Sequence, residues 1–128
     1  MLIYHRKNAR LQPDRRPVFR GDVNSELIVD PAEAKSLIPQ LVQFSPGART
    51  NWHRHSFEQG LVIIEGRGIV ATEEAEHLVE PGDVIVVPPE ERHWHGATET
   101  TAMAHIAING QGETTVLEPT EQIRTKDV

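Results

Sequence analysis

Gly47-Ala48-Arg49-Thr50-Asn51-Trp52-His53-Arg54-His55-Ser56-Phe57-Glu58-Gln59, read together with His93-Trp94-His95, decides how this chain folds. His53 and His55 are two apart, so on a strand both imidazoles leave the same face. Gln59 shares their parity, and a later strand supplies His93 or His95. Four nitrogen and oxygen ligands from such strands, gathered inside a barrel, suit a borderline divalent ion: Mn, Fe, Co, Ni, Cu or Zn. A lone His-x-His pair also arises on an ordinary polar strand face, so the surrounding pattern has to decide.

That pattern is regular. Five residues separate Gly47 from His53, and six separate Gln59 from Gly66. Downstream, Gly82 is followed after five residues by Pro88, and His93 comes after four more. The arrangement resembles the two motifs of the cupin superfamily, G-x5-H-x-H-x3,4-E-x6-G and G-x5-P-x-G-x2-H-x3-N, over residues 38–109. Gly47, His53, His55 and Gly66 match the first; Gly82, Pro88 and His93 match the second. Three positions depart: Gln59 replaces the motif's Glu, Glu90 its second Gly, and Ala97 its Asn. The resemblance implies an all-β, double-stranded β-helix (jelly-roll) barrel with an N-terminal arm. It further implies one divalent transition metal per chain, held by His53, His55, Gln59 and His93. The last two departures fall at turn and packing positions, whereas Gln59 touches the ion itself.

Composition agrees with one domain. The chain has 128 residues, a common domain size. We read it as a single unit, with the barrel at 38–109, an arm at 1–37 and a tail at 110–128. A net charge of −6 leaves no basic stripe to neutralise phosphates, which argues against a nucleic-acid partner. The basic cluster from Arg6-Lys7 to Arg15-Arg16 is diluted by polar residues and Pro, and reads as a solvated arm. Without cysteine there is no disulfide and no thiolate ligand. No apolar run approaches the roughly 18 residues of a membrane span, so the expectation is a soluble, cytoplasmic protein without a membrane partner.

Short strands dominate the pattern. We expect them at 39–44, 51–55, 59–65, 77–80, 84–87, 93–96 and 101–109, separated by Gly- and Pro-containing turns. Such spacing indicates an antiparallel sandwich or barrel. Val42, Phe44, Leu61, Ile63 and Trp94 are the expected core. Asp30-Pro31-Ala32-Glu33-Ala34-Lys35-Ser36 reads as a helix, capped by Asp30 with Pro31 at its first position. Pro119 to Ile123 reads as one helical turn.

Within the expected site, Glu58 is the rival carboxylate, but its parity is wrong for a regular strand, so Gln59 is preferred. An amide oxygen brings no charge. Three histidines and a glutamine therefore leave an ion's charge uncompensated, which strengthens its Lewis acidity and disfavours higher oxidation states. His95 shares the face of His93 and is either a proton-transfer group or a packing residue. His105 has the parity of Met103, Ala107 and Asn109, and borders the pocket if that face is interior. His5 and His77 are expected to be exposed. Arg49 either meets an anionic substrate or forms a surface salt bridge. Ala102, Ala104 and Ala107 either leave room for a ligand or relieve sheet packing.

The combined run from Pro46 to Met103 is also similar to small cupins of the hydroxynitrile lyase type and to cupins linked with carboxymuconolactone decarboxylases. That similarity implies manganese or iron and reversible C–C cleavage of a cyanohydrin-like small molecule, with His95 as base and His105 beside it. The alternatives are an iron-dependent dioxygenase and a non-enzymatic metal-containing binding module. The expected assembly is a homodimer.

Overall fold

A computed structural model describes residues 1–121, 123 and 124. Thirteen strands follow in order: β1 (Gln12–Pro13), β2 (Phe19–Arg20), β3 (Val23–Leu27), β4 (Ile38–Phe44), β5 (Arg49–Thr50), β6 (His53–His55), β7 (Gln59–Gly66), β8 (Gly68–Ala71), β9 (Glu76–Val79), β10 (Val84–Val87), β11 (Trp94–Ala97), β12 (Met103–Asn109) and β13 (Thr114–Val116). A 3-10 turn, Arg6–Asn8, precedes them. One sheet runs β1-β3-β4-β12-β7-β10, a second runs β2-β5-β11-β8-β9, and β13 pairs with β6. All pairings are antiparallel, and the two sheets form the jelly-roll barrel. No described helix is long and apolar enough to cross a membrane.

Alternation explains where the core sits. Along β7 the odd residues Gln59, Leu61 and Ile63 are buried, while Gly60, Val62 and Ile64 are half-buried on the other face. Val42, Phe44, Ile63 and Met103 join Val23, Ala48, Val79 and Ala97 in the main apolar cluster. Trp94, Ile69, Ala71 and Ile123 form a second, against which Trp52 packs. All five expected core residues are buried.

The seven expected strands appear within two residues of their expected bounds. Two other expectations are corrected. The segment after Asp30 is a single turn, not a helix. Asp30 does cap it: its carboxylate accepts from Ala32 N–H at 2.9 Å, and its carbonyl accepts from Glu33 and Ala34. No residue from 30 to 37 is buried, so no packed face offsets the cost of helix nucleation. In the tail, Pro119, Thr120, Glu121 and Ile123 have no regular structure, and Gln122 lies outside the described residues.

The N-terminal arm is not simply solvated. β3 pairs along β4, β1 along β3, and β2 against β5. Arg16 grips Asp14 through three side-chain bonds (Nε to Oδ1 at 2.9 Å and to Oδ2 at 3.2 Å, a second guanidinium nitrogen to Oδ2 at 2.6 Å) and lies 5.4 Å from the centre of the Phe19 ring. Burial raises the Asp14 pKa, but the bonds from Arg16 and Ser25 outweigh it, so the carboxyl titrates below its usual range. Arg6 pairs with Glu65. These strands escaped the sequence reading because β1 and β2 have two residues each and Val23-Asn24-Ser25-Glu26-Leu27 has a polar middle.

Candidate metal centre

His53 and His93 face each other directly. Each backbone N–H donates to the other's carbonyl at 3.0 Å, the closed pairing of an antiparallel ladder. Directly paired residues share a sheet face, so both imidazoles enter the same interior, and His55 joins them two residues along β6. Ring centroids lie 4.2 Å apart for His53 and His93, 4.9 Å for His53 and His55, and 5.3 Å for His55 and His93. One ring nitrogen from each falls within 4.8 Å of the others. All three residues are buried.

Outer partners set the tautomers. His53 Nδ1 lies 2.8 Å from the Asn51 carbonyl and His93 Nδ1 lies 2.9 Å from the Glu91 carbonyl. A carbonyl only accepts, so both Nδ1 atoms carry protons and both Nε2 lone pairs point inward. His55 Nδ1 is bonded to Thr114 Oγ1 at 2.8 Å, and its Nε2 is buried without a partner. Gln59 is held similarly: its Nε2 donates to Asn109 Oδ1 at 2.8 Å, leaving Oε1 at 3.3 Å from His93 Nε2. Glu58 is exposed.

Burial pushes His53 down to about 3 and His55 down to about 4, with neighbouring His93 adding to both shifts. His93 is lowered too, chiefly by burial. Neutral imidazoles are the form that binds metals. A buried Nε2 with no partner, beside two further inward lone pairs and an amide oxygen, is costly by itself and fits a cation. The donor set therefore fits a divalent ion.

Gln59 offers a direct check. Gln59→Ala is expected to weaken metal affinity and Glu58→Ala to leave it unchanged. Gln59→Glu should keep or tighten the ion while lowering its Lewis acidity. Titration of metal-free variants with Mn2+ measures all three. Loss of metal in Glu58→Ala with retention in Gln59→Ala would mean the ligand is the other residue.

A cavity of about 250 Å3 adjoins the histidines. Phe19, Val42, Ala107 and Val116 give it apolar walls, while His53, His55, Gln59, His95 and His105 form its polar end. A larger surface cleft of about 450 Å3, beside Trp52, Trp94 and Glu74, contains no histidine. Size does not locate the chemistry here; the donor groups do.

His95 and His105 are both buried and lie side by side, His105 Nε2 3.0 Å from His95 Nδ1. His95 Nε2 has no hydrogen-bond partner. Burial holds His95 well below the ordinary imidazole range, with His105 and the other histidines adding to the effect. Burial likewise brings His105 to about 4. Thr50 Oγ1 accepts from the His95 backbone N–H at 3.1 Å, anchoring the strand beneath it.

His5 and His77 are exposed, as expected. Ala107 borders the cavity, Ala104 is buried, and Ala102 is exposed. Arg49 does not line the histidine cavity. Its guanidinium donates to the carbonyls of Gly47 (2.7 Å), Glu121 (2.7 Å) and Thr120 (3.2 Å), fastening the tail to the barrel. Reading the sequence missed the supporting roles of Asn51, Thr114 and Asn109. Asn51 acts through its backbone, and Thr114 lies on a strand the sequence did not announce.

Two motif positions acquire reasons. Gly66 has φ +71°, and a Cβ there would lie 1.9 Å from the Ala102 carbonyl oxygen. Glu90, where the motif has Gly, is a non-glycine residue at φ 68°. Its N–H donates to the His55 carbonyl at 2.7 Å, so this strained turn supports the strand that carries His53 and His55. Glu90→Gly is expected to stabilise the protein by about 0.5–1 kcal/mol, read as a rise of a few degrees in Tm. The exposed Arg54–Glu90 pair, 3.3 Å long, would be lost at little cost. Unchanged or lowered Tm would show that the turn carries no relievable strain.

The model of the Cupin domain matches residues 40–109. The chain is 41% identical over 91 residues to (R)-mandelonitrile lyase of Granulicella tundricola, an alignment covering 70% of each. It is 25% identical over 89 residues to dimethylsulfoniopropionate lyase DddW of Ruegeria pomeroyi, covering 68% of this chain and 58% of that one. Among solved structures, a cupin-like protein from Thermotoga maritima superposes with a TM-score of 0.81 at 31% identity, over 87% of both chains.

Proposed function

This chain belongs to the cupin family, and on that premise we propose that it is a divalent-metal-dependent lyase acting on a small oxygenated molecule of the cyanohydrin type. The observation that carries the reading is the partnerless, buried Nε2 of a neutral His95 beside the inward-facing His53, His55 and His93. The 41% identity to a mandelonitrile lyase supports the substrate class.

His53, His55 and His93 through Nε2, with Gln59 through its amide oxygen, would hold one ion, manganese or iron, whose contribution is to polarise a substrate oxygen. Phe19, Val42, Ala107 and Val116 enclose the substrate's apolar part and exclude water. His95 Nε2 takes the hydroxyl proton. The C–O bond becomes a carbonyl as the C–C bond to the nitrile breaks, and cyanide leaves with that electron pair. His95 then returns its proton to cyanide, giving HCN and an aldehyde. His105, bonded to His95 Nδ1, fixes the ring and its tautomer. We read the protein as a cytoplasmic homodimer.

The reaction is redox-neutral. Metal-loaded protein is expected to release aldehyde from mandelonitrile at the same rate with and without dissolved O2. Strict dependence on O2 would move the assignment to a dioxygenase, and inactivity on a broad panel of hydroxy and carbonyl compounds would move it to a binding module.

A further inference from the structure

We infer that the β4 side of the histidine cavity recognises a neutral hydroxyl on the substrate, through a closed ring of four polar side chains: Arg16, Asp14, Ser25 and Gln40. This rests on the lyase reading above and names its substrate more closely, as a cyanohydrin whose body carries a second hydroxyl at its far end.

Hydrogen bonds close the ring. Arg16 holds both carboxylate oxygens of Asp14 at 2.6–3.2 Å and donates to Gln40 Oε1 at 3.2 Å. Gln40 Nε2 donates to Ser25 Oγ at 3.3 Å, and Ser25 Oγ donates to Asp14 Oδ2 at 2.6 Å. Gln40 is buried on β4, two residues from Val42, and lines the cavity with it. Burying an amide costs free energy that an aliphatic side chain here would not incur. Packing of the barrel alone therefore gives no reason for Gln at this position.

The register sets how far the ring lies from the metal ligands. Gln40 pairs with Ala107, and Ala107 pairs with Leu61, two residues along β7 from Gln59. Two strand spacings of about 4.8 Å and a two-residue step of about 7 Å put the Gln40 and Gln59 backbones about 12 Å apart. Both side chains line the same cavity, with small Ala107 and apolar Phe19 and Val42 among its walls. An apolar cavity of about 150 Å3 takes benzene. This one, at about 250 Å3, takes a ring with a substituent at each end. On its other side the polar ring borders an outer cleft beside Arg10 and Glu26. It is thus the wall between the cavity and that cleft.

Charge and valence choose the substituent. Asp14 is held ionised by its bonds from Arg16 and Ser25, so its charge offsets that of Arg16. A carboxylate on the substrate would meet Asp14, and an ammonium would meet Arg16. Unused bonding capacity remains on both signs. Arg16 Nη1 has no hydrogen-bond partner among the described residues. Gln40 keeps a second N–H on Nε2 and a second lone pair on Oε1. A hydroxyl both donates and accepts, and it is neutral, so it matches this end.

The metal-loaded full chain is tested with two matched pairs of compounds. Turnover is compared for mandelonitrile and its para-hydroxy derivative. Binding is compared by calorimetry for benzyl alcohol and para-hydroxybenzyl alcohol. The added hydrogen bonds are expected to favour the hydroxylated member about tenfold in Kd, and in kcat/KM through KM rather than kcat. In Gln40→Leu, close to Gln in volume, the members of each pair are expected to become about equal. Arg16→Met keeps the length of the stem at an exposed position and is expected to lose the same preference. Circular dichroism and metal content check both folds. Absence of any preference in wild type overturns the hydroxyl end, while turnover of mandelonitrile leaves the lyase reading standing. A preference that survives both substitutions overturns the ring as its source. A binding preference lost in either variant, with neither cyanohydrin turned over, supports the hydroxyl end and overturns the lyase reading instead.

Discussion

His53→Ala/His55→Ala is expected to reduce bound metal from one ion per chain to none by elemental analysis. The two residues supply half of the four proposed donors, and both come from β6, so one double substitution empties one side of the site. The fold should survive, with circular dichroism still β-rich, because the main apolar cluster is built from Val42, Phe44, Ile63 and Met103 rather than from the histidines. Thermal stability separates loss of metal from damage to the barrel. Added metal that binds the native state raises its stability by about 4 kcal/mol at a thousandfold excess over Kd. Wild type should therefore melt higher as Mn2+ is added, and the double variant should not respond. Stoichiometric metal in a well-folded double variant would overturn the site.

Parity made much of this site legible. A strand alternates strictly, so His53 and His55 could be assigned to one interior face of β6 from their spacing alone; Gln59 opens a separate strand, β7, so its matching parity is not the alternation of one strand. The structure has Gln59 buried and Glu58 exposed. Parity also linked His105 to Ala107 and Asn109, and all three line the cavity. What the sequence did not show was pairing. The His53–His93 bridge joins residues forty apart, and no local pattern marks which two strands will meet. The same holds for Thr114, whose strand Thr114–Val116 contains no buried residue and lacks any alternation of polar and apolar residues. The arm was read incompletely for a related reason. Arg16 is exposed, as expected, but a net positive stretch gives no hint that Asp14 and Phe19 lie beside it. Asp30 illustrates the opposite error: a sound cap signal was followed, but a cap alone does not make a helix where nothing packs.

His95→Ala is expected to keep the metal and lose most of the activity. His95 shares the interior with His93, but its role differs because of what each ring touches. His93 Nδ1 is fixed by a backbone carbonyl, which presents Nε2 to the proposed ion. His95 Nδ1 is instead bonded to another imidazole, His105 Nε2, at 3.0 Å. That contact holds the ring while its Nε2 stays without a partner beside the cavity. A buried imidazole kept neutral, with one nitrogen anchored and the other free, is built to accept a proton from a bound hydroxyl. Removing such a group typically lowers the rate about a hundredfold to ten-thousandfold. The loss should fall on kcat, since the apolar walls that bind the substrate are untouched, and metal content should match wild type. His105→Ala leaves the base in place and frees only its orientation, so its loss should be smaller. If His95→Ala loses the ion along with activity, His95 is a ligand. If it keeps both, His95 is a packing residue and the proton must go elsewhere.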